Sequence, residues 1–428
     1  MIVMLDIKFV RSNPDIVRHD LMRRADPEKI KWLDELLLCD ERSRKMQIEV
    51  NELRRRRNVI SGEINTARKQ GLDTKDLIDE ASSLPARIKS AEAELDELSE
   101  KVIFYRMRLP NILHESVPEG ADESGNVEVR RVGTPKAFSF ELKTHGQLAV
   151  DRDLADFKRA TKISGAGFYF LKGNLARLDM ALQQYALDML EDRGYTIITP
   201  PYMLNRGAYE AVTDLADFES VMYKIEDEDA YLIATSEHPL AAMYQDEILE
   251  EKELPIRLAG ISPCFRREIG SRGVDTKGLF RVHQFTKVEQ FIFSRPQDSW
   301  ELHEELLSNA EAIFQGLELP YHVVNICTGD IGIVAAKKYD IEVWMPREQM
   351  YREVVSCSNC TAYQAVRLNI RMREAEDFDS KQFVHTLNST AVATSRVLRA
   401  ILENNQDEDG RVKIPTVLRP YMRDLEYL

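Results

Sequence analysis

The chain has 428 residues, of which 43% are hydrophobic and 30% are charged. That is enough for about two or three folded domains and excludes a wholly disordered protein. The formal net charge of -14 argues against a protein that binds nucleic acid over its whole surface, although a local basic patch is compatible with it. No run approaches the roughly 18 apolar residues of a membrane span, and Asp6 and Lys8 come too early for a secretion signal. We therefore expect a cytoplasmic protein that does not associate with membranes.

The five cysteines predict neither a disulfide framework nor a structural zinc site. Cys357 and Cys360 form a CxxC pair, but no second pair and no suitably spaced histidines accompany it. A structural zinc ion normally needs four such ligands. The chain also has no GxxxxGK[ST] phosphate loop, and Gly165-Ala-Gly167 lacks the third glycine of a dinucleotide-binding loop. Several common nucleotide-binding folds are therefore not indicated.

Residues 28–110 have the pattern of long, paired helices. In the later part, from Leu77 to Leu109, apolar residues recur at alternating intervals of four and three, as in the seam of a coiled coil. An earlier run keeps the same register and includes Leu53 and Ile60, with Arg57 in the seam position between them. Each helix therefore has one apolar stripe to bury.

A turn divides this pattern. Residues 70–73 carry a helix stop and turn residues, so the two apolar stripes must pack antiparallel. Pro85 interrupts the second pattern, and we expect the second helix to start or kink there, with 77–84 as a separate turn. The sequence thus predicts a helical-hairpin arm over residues 1–112.

The composition changes after Pro110. Residues 113–165 are polar, contain several Gly and Pro, and predict a connector into a second domain over 113–428. Strand-like runs without regular βαβ alternation favour an α+β fold there, with an antiparallel sheet flanked by helices. The predicted helices are 174–194, 236–251, 298–316 and 391–404, and the predicted strands are 196–198, 256–265, 280–293, 321–326 and 341–345.

The run 280–293 has the most informative pattern. Period-two alternation places mostly titratable and aromatic residues on one of its faces, namely Arg281, His283, Phe285, Lys287, Glu289, Phe291 and Phe293. A face of this kind packs poorly in a core. It indicates either the floor of a binding site or the exposed face of an edge strand.

The sequence around this run contains several motifs in a fixed order. Phe265-Arg-Arg-Glu268, followed by a loop and the run 280–293, resembles the second signature motif of class II aminoacyl-tRNA synthetases. Other segments resemble motifs of one family within that class, namely Thr235-Ser236-Glu237, the ExxSCSNC stretch that starts at Glu353, Trp344-Met345-Pro346, and Leu387–Thr390 followed by Arg396. With the arm in front of them, the chain is identified as a member of the seryl-tRNA synthetase family, and the resemblance spans the whole chain.

The resemblance implies an activity and its partners. L-serine and ATP would give seryl-adenylate, and serine would then pass to the terminal ribose of tRNA(Ser); whether tRNA(Sec) is also a substrate is left open. The resemblance also implies Mg²⁺ bound with ATP, a CxxC pair without zinc, and a homodimer built on Gly173–Pro201, which resembles the first class II motif.

The resemblance also assigns roles to individual residues. The catalytic residues would be Arg266, Glu268 and Arg396. The serine-binding residues would be Thr235, Ser236, Glu237, Glu289 and Thr390. The ATP-binding residues would be Arg266, Arg267, Glu268, Val282, Phe285, Glu353, Val354, Val355, Ser356 and Arg396, and of these Glu353 and Ser356 would hold Mg²⁺. Many relatives have Asn-Gly-Ser where this chain has Asn388-Ser389-Thr390, and we assign the serine-contacting hydroxyl to Thr390.

The basic run Arg54, Arg55, Arg56 and Arg57 allows two interpretations. It is either a solvated flank of the coiled coil or a set of phosphate contacts for tRNA, and the resemblance favours tRNA. Two alternative functions have weaker support. An enzyme that loads a carrier protein would lack the arm, and a non-catalytic scaffold would have no reason to keep the whole set of site residues.

Overall fold

We analysed a computed structural model of the chain. The structure describes residues 6–213, 221–268, 278–374 and 381–428. The chain divides into two compact units, one that ends at Leu109 and one over Pro110–Leu428. Each unit is described by itself below.

The first unit is helical. Its helices are α1 (Ile7–Ser12), α2 (Pro14–Arg23), α3 (Pro27–Lys69) and α4 (Lys75–Arg106). Helix α3 begins after Asp26, whose carboxylate accepts a hydrogen bond from the backbone amide of Lys29. It ends before Gly71, which adopts φ of 69°, a left-handed conformation that glycine reaches without strain. The 43 residues of α3 make a rod of roughly 65 Å.

Helices α3 and α4 pack along the predicted seam, which confirms the hairpin. The buried seam residues are Val50, Leu53, Ile60, Leu84, Ile88 and Ala91. Arg57, which the heptad pattern places in the seam, is exposed instead, because its long stem lets the charge reach water. The predicted separate turn over 77–84 is wrong, since α4 runs straight through Pro85. Leu77 and Ala81 pack against the seam cluster, and this contact holds the first turns in helical form.

The second unit combines helices with a large sheet. Its helices are α5 (His145–Asp151), α6 (Phe157–Ser164), α7 (Gly173–Glu191), α8 (Arg206–Val212), α9 (Glu237–Ala242), α10 (Ser299–Gly316), α11 (Tyr363–Leu368) and α12 (Thr394–Asn404). Its strands are β1 (Val127–Val132), β2 (Ala155–Asp156), β3 (Phe170–Leu171), β4 (Thr196–Ile198), β5 (Met203–Asn205), β6 (Ala230–Leu232), β7 (Ile248–Glu250), β8 (Ile256–Phe265), β9 (Gln284–Ser294), β10 (Tyr321–Asn325), β11 (Lys337–Met345), β12 (Met350–Thr361), β13 (Arg371–Arg373), β14 (Lys381–Phe383) and β15 (His385–Ala393).

The main sheet has the strand order β1-β10-β11-β12-β15-β9-β8-β4. Neighbouring strands are antiparallel except β4 and β8, which are parallel. Apolar residues of α7, α10 and α12 pack with the sheet in one large core. This arrangement confirms the predicted α+β fold with an antiparallel sheet flanked by helices.

Three predictions about local structure need correction. The helix predicted over 236–251 ends at Ala242, and the later residues include β7, which pairs with β13 in a separate small sheet. The strand predicted from residue 280 begins at Gln284. The segment 113–165, expected as a connector, contributes β1 to the edge of the main sheet.

Candidate active site

Two adjoining clefts lie over β9, β12 and β15. The first, of about 640 Å³, is called the inner cleft, and its walls include Thr235, Glu237, Glu289 and Thr390. The second, of about 720 Å³, is called the outer cleft, and its walls include Phe280, Val282, Asp340 and Glu342. Both are lined by Arg266, Glu268, Phe285, Glu353 and Arg396, so the two clefts form one continuous site.

Strand β9 supplies the floor through alternate residues, as its sequence pattern predicts. Phe285, Lys287 and Glu289 all line the inner cleft. Lys287 and Glu289 form an ion pair with Nζ 2.5 Å from Oε2, and their side chains are 8% and 1% exposed. Burial raises the pKa of Glu289, and the positive charges of Lys287 and Arg266 act against that rise. The strand therefore holds a buried, charge-compensated carboxyl in the cleft.

A bulge on β15 sets which of its residues face the cleft. Thr390 pairs with Glu289 and Val392 with Val288, so Ala391 is an extra residue on β15. The bulge shifts the alternation by one position. As a result Asn388 and Thr390 line the inner cleft before it and Ala393 lines the cleft after it.

A second bulge, on β12, also determines which residues face the cleft. Glu342 pairs with Glu353 and Ile341 with Val355, which leaves Val354 as the extra residue. In a strand of the same sequence with no bulge, Glu353 and Ser356 would lie on opposite faces, because they are three positions apart. With it, both residues line the inner cleft.

The Glu237 carboxyl lies at the start of α9 and faces two side-chain amides. Its Oε1 accepts hydrogen bonds from Gln364 Nε2 at 3.0 Å and from Asn388 Nδ2 at 3.1 Å. Burial and the nearby charge of Glu289 raise the pKa of Glu237 to about 7. Thr235 lies beside it, and its hydroxyl accepts a hydrogen bond from the Glu237 backbone amide at 3.2 Å. This corner of the cleft is therefore suited to a small cationic or hydroxyl-bearing group.

Arg266 extends from the end of β8 into both clefts. Its guanidinium carbon lies 5.5 Å from the centre of the Phe285 ring, and its Nε donates to the carbonyl of Ala234 at 3.4 Å. Sequence reasoning gave His283 no role. Its Nδ1 lies 2.8 Å from the carbonyl oxygen of Arg266 and donates a hydrogen bond to it. These contacts hold the arginine at the junction of the two clefts.

Arg396, from the first turn of α12, forms the opposite wall. Its Nη1 donates to the carboxylate of Glu353 at 3.0 Å and also to the backbone carbonyl of Glu353. Burial would raise the pKa of Glu353, but Arg396, Lys338 and Arg266 outweigh it and lower the pKa. The guanidinium carbon of Arg396 lies 5.6 Å from the Phe280 ring centre. A flat aromatic ligand could therefore find both aromatic and guanidinium partners here.

Oxygen atoms suited to Mg²⁺ converge near the same wall. Asp340 pairs with Ser356 across the sheet, and its buried Oδ1 has no hydrogen-bond partner among the described residues. The Glu353 carboxylate and the Ser356 hydroxyl lie on this face, so the donor set fits a hard cation. In the described part of the chain no group of three or more His, Cys, Asp or Glu could hold a metal by itself. An ion here would need further ligands from water or a bound substrate.

Three of the predicted site residues do not reach the clefts. The Ser236 side chain is fully buried, and its hydroxyl donates to the carbonyl of Gly260 at 3.1 Å. Val355 packs in the main core. Arg267 is exposed, and its backbone amide donates to the carbonyl of Val221. These three residues would support the backbone around the site.

Sequence reasoning gave no role to other residues of the clefts. Lys287 could have been found, since the alternation of β9 placed it beside Glu289. Gln364 lies four residues beyond the ExxSCSNC stretch, and its bond to Glu237 depends on the packing of α11 against other elements. Asp340 carried no local signal, because only the bulge on β12 aligns it with both Glu353 and Ser356.

The comparisons with known proteins agree across both units. Residues 4–113 match the family model of the seryl-tRNA synthetase N-terminal domain, and residues 222–405 match that of the tRNA synthetase class II core domain (G, H, P, S and T). A serine–tRNA ligase of Methanospirillum hungatei is 71% identical over 425 residues, which cover 99% of this chain and 100% of that protein. The chain belongs to the seryl-tRNA synthetase family.

Solved structures of seryl-tRNA synthetases have the same fold. The enzyme of Pyrococcus horikoshii complexed with ATP superimposes with a TM-score of 0.92 at 50% identity, over 99% of this chain and 98% of that one. The cytoplasmic enzyme of Naegleria fowleri in complex with AMP gives a TM-score of 0.87 at 35% identity, with the same coverage of 99% and 98%. As a member of this family of class II synthetases, the chain is an ATP-dependent serine–tRNA ligase.

The basic run of the arm lies on the solvent side of α3. Arg54 bonds to Glu92, and Arg56 bonds to Glu80 and to Glu63. Arg55 and Arg57 are exposed and make no ion pair with any described residue. No helix in the described ranges is both long enough and apolar enough to cross a lipid bilayer.

Proposed function

We propose that the two clefts together form the site where seryl-tRNA synthetases activate L-serine with ATP, before they transfer serine to tRNA(Ser). The observation that carries this assignment is the pair of carboxyls, half-buried Glu237 and buried Glu289, in a cleft that Arg266 and Arg396 also line. Such a cleft offers anionic groups for an amino acid and cationic groups for phosphates. Groups of opposite sign are thus held a short distance apart, as adenylate formation requires.

The inner cleft is suited to serine. Glu237 would receive the ammonium group, since a charged carboxylate pairs with it directly and Gln364 and Asn388 fix its position. Glu289 and Thr390, paired across β9 and β15, would bond to the serine hydroxyl. A site built to bond a hydroxyl rejects analogues without one far better than an apolar pocket can. Alanine would therefore leave buried polar groups without partners.

The wall between the clefts is suited to ATP. Arg266 would bind the α-phosphate, because a guanidinium is always charged and presents a planar fork of donors. The serine carboxylate oxygen attacks the α-phosphorus, the bond from that phosphorus to the bridging oxygen breaks, and pyrophosphate leaves. Arg266 stabilises the charge that builds on the phosphoryl oxygens. Phe285 and Arg396 would lie on either side of the adenine ring.

The donor set near Glu353 fits Mg²⁺, the expected partner of ATP. Glu353 and Ser356 would hold the ion, and phosphate oxygens and water would complete its ligands. When bound, Mg²⁺ neutralises phosphate charge. No general base is needed in this scheme, since the chain acts by positioning and by charge neutralisation.

We also propose a cytoplasmic homodimer built on the region from α6 to β5. This region exposes large apolar side chains, namely Ile163, Phe170, Met180, Ile197, Tyr202 and Met203. A surface of this kind is typical of a protein interface. The resemblance to the first class II motif implies that a second copy of the chain covers this surface.

The arm is proposed as the tRNA-binding element. Arg55 and Arg57 would contact phosphates directly, whereas Arg54 and Arg56 already bond to glutamates of the hairpin. Phosphate contacts of this kind give affinity without reading the base sequence.

The decisive experiment is amino-acid-dependent exchange of pyrophosphate with ATP. The purified chain should catalyse exchange with serine and show no comparable rate with alanine, glycine or threonine. Arg266→Gln should lower the serine-dependent rate by about 10²-fold or more, since a charged group at the reacting phosphate is lost. Exchange that did not depend on serine would contradict the assignment.

A further inference from the structure

The ion pair between Lys287 and Glu289 is the most deeply buried one in the described part of the site, and the proposed function gives a role only to Glu289. We infer that Lys287 is a positioning residue for serine selection, whose ammonium group keeps the Glu289 carboxylate charged and fixed toward the bound serine. The inference rests on the proposed function, because it needs Glu289 to receive the serine hydroxyl.

The geometry of the strand supports this role. Lys287 and Glu289 are two positions apart on β9, so they lie on the same face. Nζ lies 2.5 Å from Oε2, and the two side chains are 8% and 1% exposed. Thr390 on the neighbouring strand pairs directly with Glu289 across the sheet, and its hydroxyl acts to lower the pKa of that carboxyl. The carboxylate is therefore held from its own strand by an ammonium group and from β15 by a hydroxyl.

The surrounding charges make the lysine necessary. The titratable and charged groups that face this pair are Arg266, Glu237, His238, Cys264 and Cys357. Burial lowers the pKa of His238 to about 3, so it is neutral and supplies no positive charge. Burial also raises the pKa of the Cys264 thiol and that of the Cys357 thiol, so both stay uncharged.

Without Lys287, the Glu237 and Glu289 carboxyls would have Arg266 as the compensating charge that acts on both of them. Buried carboxyls in this situation take up a proton, because like charges and low polarity both disfavour the ionised form. A protonated Glu289 would lose its charge-assisted bond to the serine hydroxyl. Serine would then bind only slightly better than alanine.

The test compares Lys287→Met with Lys337→Met in serine-dependent pyrophosphate exchange. Lys337 lies on β11 with its ammonium 4.6 Å from the Tyr339 ring centre, and it lines neither cleft as the described residues define them. We expect Lys287→Met to raise the KM for serine about tenfold or more, with the KM for ATP changed less than about threefold. Lys337→Met should leave both constants as in the wild type.

The pH dependence separates this role from simple packing. The ratio of the Lys287→Met KM to the wild-type KM for serine should fall as pH rises, because Glu289 regains its charge. Lys287→Arg should restore much of the preference for serine over alanine, and Lys287→Gln serves if the methionine variant does not fold. The inference would be overturned by a ratio of KM values that does not change with pH. It would also be overturned by a variant in which only the KM for ATP rises.

A double-mutant cycle gives the final criterion. If Lys287 acts through Glu289, adding Lys287→Met to Glu289→Gln should cost little further serine selectivity. Fully additive losses would show that Lys287 acts elsewhere. A wild-type chain with no serine-dependent exchange would refute the proposed function itself, whereas an active wild type with an unchanged Lys287→Met variant would refute only this inference.

Discussion

The basic run of the arm and the inner cleft place their charged residues in opposite environments. In the arm, Arg54 and Glu92 pair at the surface with side chains 52% and 37% exposed. In the cleft, Lys287 and Glu289 pair with 8% and 1% exposure. An exposed pair contributes about 0 to 1 kcal/mol to folding, whereas a buried pair loses several kcal/mol when one partner is removed. Charges of the basic run on α3 can therefore serve binding and be changed with little cost to folding, while each charge in the cleft depends on its neighbour.

The prediction with the largest expected effect tests the second unit without the arm. Removing the arm, up to Leu109, should leave the second unit folded, because that unit has its own core. Pyrophosphate exchange should stay within about threefold of the full chain, since the proposed adenylation residues lie between Thr235 and Arg396. Aminoacylation should fall by about 10²-fold or more, because the phosphate contacts of the arm are lost.

The control for this deletion is the amount of folded protein, measured by thermal unfolding of the shortened chain. A shortened chain that still aminoacylates tRNA(Ser) at nearly the full rate would show that the arm has only a structural role. Loss of exchange together with aminoacylation would show that the second unit depends on the arm.

A test with an intermediate expected effect uses the pH dependence of serine activation to probe the Glu237 carboxyl of the inner cleft. Burial and Glu289 raise the pKa of Glu237 to about 7, so the group is ionised above that pH and neutral below it. Pairing with the serine ammonium needs the ionised form. We therefore expect kcat/KM for serine to rise between pH 6 and 7 by up to about tenfold and then level off by pH 8.

Glu237→Gln is the matched variant, since glutamine keeps the size of the side chain but cannot ionise. Its kcat/KM for serine should be low and should lose the rise between pH 6 and 7. A wild-type profile that is flat over this range would remove Glu237 from the ammonium site.

The smallest expected effect concerns the basic run of the arm. Arg55→Gln with Arg57→Gln should weaken tRNA(Ser) binding and reduce the slope of log K against log salt by about one per lost phosphate contact. Arg54→Gln with Arg56→Gln should weaken binding less, because Glu92 and Glu80 already hold those two arginines. Binding titrations at several salt concentrations distinguish the two pairs. Equal losses in both would mean that the run acts by its total charge.

The arm was predictable because its signal is local. Leu53, Ile60 and the later seam residues follow one spacing, and the structure buries them together. The prediction at Pro85 failed because it relied on local sequence alone. A rule about proline considers only the backbone of its own helix, whereas packing of Leu77 and Ala81 on the partner helix keeps the early turns in place.

The cleft was predictable only in part because its residues come from distant segments. Alternation along β9 correctly grouped Phe285, Lys287 and Glu289 on one face. It could not reveal the extra residues Val354 and Ala391, since a bulge becomes visible only against the partner strand. The resemblance to a known family supplied Glu353 and Ser356 together, which spacing alone would have placed on opposite faces.

The bulge at Val354 lets β12 hold an extra residue between Glu353 and Ser356 without turning either side chain away from the cleft. Exchanging Val354 for another apolar residue leaves the count of residues between Glu353 and Ser356 unchanged, so both still reach the cleft. Deleting it would leave Glu353 and Ser356 two positions apart in a regular ladder, and alternation then places both on one face again. Within this family, a one-residue gap at this point of an alignment would therefore mark a chain without the bulge but with the same two side chains at the site, whereas a gap elsewhere in β12 would turn the residues beyond it to the other face.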